Sequence, residues 1–105
     1  MSRKMIVTVW NNGGTGYGIK IDMPDRKKFF KKEWKSVVLE LEGVGLPIEV
    51  NTDKPSFWHP GCGELISKEI GEWLAKNGLI PWPYRKPPKL RLEPLSNRRF
   101  RLFKP

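Results

Sequence analysis

Three times along this chain, two short segments that alternate apolar and polar residues are separated by a turn-forming stretch. Residues 5–10 (MIVTVW) and 17–22 (YGIKID) flank the glycine-rich run NNGGTGYG, residues 11–18. Residues 36–42 (SVVLELE) and 47–51 (PIEVN) flank Gly43 and Gly45, and residues 89–93 (KLRLE) and 99–103 (RFRLF) flank PLSNR. A period of two is the signature of a half-buried strand, and such short separations predict hairpins. A lone hairpin is only marginally stable in water, so the three must share one core.

Two segments between the hairpins read as helices. In residues 23–35 (MPDRKKFFKKEWK), Pro24 suits a first helical position, Asp25 complements the helix dipole, and Phe29, Phe30 and Trp34 fall on one side. From about Gly63 to Asn77, Leu65, Ile66, Ile70, Trp73 and Leu74 share a face, and Asn77-Gly78 makes a C-terminal cap. Residues 53–61, bounded by Pro55 and Pro60, form a loop carrying Phe57, Trp58 and His59, and the four prolines of residues 79–88 force an extended course. The predicted order is ββ-α-ββ-α-ββ. This is an α+β fold in which three hairpins build a curved antiparallel sheet or a small open barrel, with two helices against it, in a single domain over residues 1–105.

The glycine run does not read as a phosphate cradle. Gly13, Gly14, Gly16 and Gly18 miss the G-x-G-x-x-G spacing, no Gly-Lys-Ser/Thr follows, and the run leads into a strand rather than a helix N-terminus. It is expected to reverse the chain.

Charge carries most of the functional signal. The net charge is +9 for 105 residues, and its distribution is uneven. Residues 23–35 hold six basic and two acidic side chains, residues 36–53 none and four, and residues 78–105 eight and one. A field polarised in this way points to a polyanionic partner. In the last hairpin, Leu90, Leu92, Phe100 and Leu102 pointing inward send Lys89, Arg91, Arg99 and Arg101 to the opposite face, with Arg98 in the turn and Glu93 as the one nearby acid. Arginine forks match phosphates, and like charges held together across a ladder call for a compensating anion. Trp82 and Tyr84 stand beside Arg85 and Lys86, the mixture of rings and cations that holds nucleic acid. The expected function is therefore nucleic-acid binding, to RNA or DNA, through Arg85, Lys86, Lys89, Arg91, Arg98, Arg99 and Arg101 with stacking on Trp82 and Tyr84.

Other function classes have weaker support. A chain with one cysteine, Cys62, forms no internal disulfide, and one Cys with one His falls short of a structural zinc site. His59 and Cys62 in HPGC could pair as a nucleophile and its base, but no third group orients them, so no catalytic residue is assigned. A small RNA-cleaving toxin is the enzymatic alternative. A self-associating module is another, because Glu40, Glu42, Glu49 and Asp53 complement the basic ends. No cofactor motif occurs. The absence of a charged-then-apolar leader, or of an apolar run near 18 residues, makes a cytoplasmic protein without a membrane segment the expectation.

Overall fold

The computed structural model describes residues 3–83 and 85–105. Its elements run β1 (Met5–Asn11), β2 (Tyr17–Lys20), α1 (Met23–Phe29), β3 (Ser36–Leu41), β4 (Ile48–Asn51), α2 (Pro55–Trp58), β5 (Glu64–Ile66), α3 (Lys68–Lys76), β6 (Lys89–Ser96) and β7 (Arg99–Phe103). The seven strands form one sheet in the order β4-β3-β7-β6-β1-β2-β5, curled until β4 and β5 approach one another, so it is nearly a closed barrel.

All three expected hairpins are present. β1 and β2 pair from Thr8 with Lys20 to Asn11 with Tyr17, β3 and β4 from Ser36 with Asn51 to Leu39 with Ile48, and β6 and β7 from Arg91 with Phe103 to Pro94 with Phe100. Alternation sends Met5, Val7 and Val9 of β1, Val37, Leu39 and Leu41 of β3, Leu90 and Leu92 of β6, and Phe100 and Leu102 of β7 into a shared core.

The sheet is mixed rather than antiparallel throughout. The second and third hairpins meet through β3 and β7, which run parallel with Leu39 beside Phe100 and Glu40 beside Arg101. Alternation predicts which face each side chain takes but not which strand lies next door.

The helices also differ from expectation. α1 stops at Phe29, after seven residues, because Phe30 turns extended and lays its ring flat on Phe100, with centroids 4.5 Å apart and planes at 8°. Trp34 then reaches the same ring edge-on at 6.4 Å. The aromatic spacing that suggested a longer helix is met instead by an irregular segment, 30–35, folded back onto β7. A third helix, the single turn α2, lies where only a loop was expected. Residues 64–66, expected in the second helix, form the short strand β5 against β2, so α3 starts after Ser67, whose hydroxyl accepts from the Ile70 amide at 3.1 Å. Leu65 enters the core from a strand, and Ile66 is exposed.

One charged residue of the basic run 23–35 is buried. Arg26 is 1% exposed, and its guanidinium donates to the Phe57 carbonyl and, at 3.1 Å, to that of His59. Burial lowers its pKa from the ordinary arginine value, while nearby Glu64, Cys62 and Asp22 act in the opposite sense. The loop between α2 and β5 is thus closed around an ion from α1. Among the described residues no helix is long and apolar enough to cross a membrane.

Candidate nucleic-acid interface

The cations of the last hairpin lie together on the outer face of the sheet, as the alternation predicts. Across neighbouring strands this face forms rows. Lys20, Thr8 and Lys89 make one row, Ile6, Arg91 and Phe103 a second, and Glu93, Arg101 and Glu40 a third. The Lys89 ammonium donates to the Thr8 hydroxyl at 3.2 Å, and the Arg91 guanidinium lies 4.1 Å from the Phe103 ring centroid.

Part of the compensating anion comes from the protein itself. Arg99 bonds Glu40 at 2.8 Å, Arg101 approaches the same carboxylate at 3.8 Å, and Arg91 pairs with Glu93 at 3.0 Å. Glu40 reaches these arginines only because β3 runs beside β7. Arg98 occupies the hairpin turn with φ of 59° and donates to the Ser36 carbonyl at 3.4 Å, so it also ties β7 to β3. These partners leave the arginines partly exposed: Arg91, Arg99 and Arg101 keep 41–46% of their side-chain surface in solvent. The Nε of Arg101 is buried without a hydrogen-bond partner.

A second basic feature lies at the β6–β7 turn. Arg3 ahead of β1, Lys28 at the end of α1 and Lys31 in the segment after it surround a cleft of about 400 Å3 with Phe29, Trp34 and residues 94–97 at the end of β6. Among the described residues that line it there is no carboxylate. Arg3 and Lys28 both lie over the Phe29 ring, at 5.4 and 5.2 Å from its centroid. Lys28 has an acid on its own helix, Asp25, whose pKa is raised by burial and by Asp22 while Lys28 lowers it. Lys32 extends the basic surface, over the Trp58 ring at 5.6 Å. The sequence marks this basic run, but Arg3 joins it only through the fold, since β1 runs antiparallel to β6 from Met5 opposite Leu92, which leaves Arg3 toward the second half of β6.

The remaining expected residues gather at the other end of β1. Trp82 packs edge-on against Tyr17 at 6.1 Å, and Asn11, Tyr17, Pro81, Trp82 and Arg85 line a recess of about 260 Å3. Lys86 is exposed, and its amide donates to the Pro83 carbonyl at 2.9 Å. Tyr84, expected beside them as a stacking residue, lies outside the described residues.

The glycine run is occupied by its own asparagines. Asn11 accepts from the Gly13 amide at 2.9 Å, and Asn12 accepts from the amides of Gly14 at 2.8 Å and Gly16 at 3.1 Å. A phosphate cradle would need those amides aimed outward.

His59 and Cys62 lie in the loop closed around Arg26. The Cys62 sulfur is 4.0 Å from His59 Nδ1, which also accepts from the Gly61 amide at 3.4 Å. Neither residue lines the basic cleft. Among the described residues no three His, Cys, Asp or Glu side chains are grouped to hold a metal ion. No protein-family model, curated protein or solved structure matches this chain.

Proposed function

We propose that this protein binds nucleic acid through phosphate contacts made by two basic surfaces. These are the cleft of Arg3, Lys28 and Lys31 and the outer face of β6 and β7. The observation that carries the reading is the cleft, where three cations and the face of Phe29 surround one concavity with no carboxylate among the described residues of its lining. Holding like charges together costs Coulomb energy, which a bound phosphate diester would relieve. The half-exposed arginines of β6 and β7 add donors that can fork onto phosphate oxygens. The net charge of +9 favours encounter with any polyanion.

The test is fluorescence anisotropy with labelled single- and double-stranded DNA and RNA across a salt series. Affinity should fall with a log–log slope of about −0.7 to −0.9 per phosphate contact. Replacing Arg3, Lys28 and Lys31 together by Gln should flatten that slope by about 2 with the melting temperature retained. His59→Ala and Cys62→Ser should leave binding unchanged and the probes uncleaved. Failure to bind any of the four probes at low salt overturns the proposal.

A further inference from the structure

We infer that the corner between Tyr17 and Trp82 is a stacking slot for one unpaired nucleobase, so that a single strand is bound more tightly than a blunt duplex. The inference rests on the nucleic-acid reading and adds the form of the ligand.

The slot is built at the end of the first hairpin. Tyr17 opens β2 opposite Asn11, and Trp82 arrives from the proline-rich segment before β6. Their planes stand at 78°, so the two rings form adjacent walls of the recess, with Pro81 as a further wall and Arg85 also in its lining. Both rings touch the core on one side and are half-buried, leaving aromatic surface toward the recess. At about 260 Å3 the recess is smaller than a typical drug-sized site and suits one planar heterocycle.

The chemistry of its lining favours stacking over reading of base edges. The amide side chain in the lining, Asn11, is already committed: its nitrogen donates to the carbonyls of Gly14 and Gly16, both at 3.0 Å, and its oxygen accepts from the Gly13 amide. Every base has a π-face, so such a slot is tolerant of sequence.

Alternation puts Asn11 and Tyr17 on the side of Val9 and Ile19, opposite Thr8 and Lys20, so the slot opens at the end of the hairpin rather than on the outer face. From the slot the chain runs to Pro88, whose carbonyl accepts from the Val9 amide at 2.9 Å, and on to Lys89 in the row with Thr8 and Lys20. Three residues of strand, about 10 Å, separate Asn11 from that row. The cations nearest a base in the slot are Arg85 in its lining and the exposed Lys86 that follows it in the chain, and these are placed to meet the adjoining phosphates.

The test compares four probes by anisotropy at one salt concentration: an oligothymidylate, the same strand with abasic positions, a blunt duplex, and that duplex with a single-stranded overhang. The intact strand and the overhang should bind about tenfold more tightly than the abasic strand and the blunt duplex. Trp82→Leu, which keeps apolar bulk against the core, should remove that tenfold difference while the salt slope and melting temperature stay unchanged; Trp82→Phe should retain most of it. Equal affinity of the unaltered protein for intact and abasic strands overturns the slot, and needs no variant to fold. Steep salt-dependent binding with no such difference overturns the slot alone, whereas no binding to any probe overturns the nucleic-acid reading along with it.

Discussion

Gly63 is packed against the guanidinium of Arg26, so closely that a β-carbon at position 63 would lie 2.5 Å from both its Nε and its Cζ. Gly63 also has φ of +103°, a conformation that L side chains rarely adopt, and the same β-carbon would come within 2.7 Å of the Ile21 carbonyl oxygen. The buried ion and the glycine are thus one construction. The carbonyls of Phe57 in α2 and of His59 just after it hold the guanidinium, and the missing side chain makes room for it.

Gly63→Ala is therefore expected to destabilise the fold by about 2 kcal/mol or more, read as a lower urea midpoint at unchanged slope. Arg26→Met should also destabilise, because it strands two carbonyl acceptors. The double variant should cost less than the sum of the two, by about 1 kcal/mol, since methionine can give way to the new methyl group. Full additivity would show that the two residues do not share the space. The clash with the Ile21 carbonyl remains in either background, so the rescue is partial.

Glu40 offers a different test, because it draws positive charge inward that a polyanion would otherwise meet. It accepts from Arg99 and lies within 3.8 Å of Arg101. Glu40→Gln should change stability by less than about 1 kcal/mol, as expected for partly exposed pairs. If the outer face contacts phosphates, the same variant should bind nucleic acid about three- to tenfold more tightly at low salt, with a salt slope steeper by roughly 1. An affinity that does not rise would confine the interface to the cleft at the β6–β7 turn.

The sequence made the hairpins legible and left their assembly hidden, for a physical reason. Alternation is a local property, so Leu90, Leu92, Phe100 and Leu102 could be assigned to the core before the fold was known. Which hairpin lies beside which is decided by long-range packing. The parallel contact of β3 with β7, and with it the neutralisation of Arg99 and Arg101 by Glu40, therefore has no sequence signal. Phe30 and Trp34 carry helical spacing, yet their rings are used on Phe100 from an irregular segment. Arg26 looks like its neighbours Lys27 and Lys28, and its burial depends on carbonyls more than thirty residues away. The basic run of residues 23–35 was visible, whereas the cleft it makes with Arg3 was not.

The glycine-rich run provides the last prediction, because its glycines serve different ends. A β-carbon at Gly18 would collide with the backbone of Leu65 at its carbonyl, where β2 pairs with β5 through Gly18 and Ile66. The obstacle is main chain on an adjacent strand, which cannot give way without parting the sheet. A β-carbon at Gly14 would meet only the Asn12 side chain, at 3.4 Å, and the residue needs no positive φ. Gly18→Ala is therefore expected to cost about 2 kcal/mol or more, whereas Gly14→Ala should stay within about 0.5 kcal/mol of the unaltered protein in urea unfolding. Because the amide of Gly14 is already bonded to Asn12, Gly14→Ala should also leave nucleic-acid affinity unchanged. A loss of affinity at constant stability would mean that this loop approaches the ligand, and would reassign it from chain reversal to recognition.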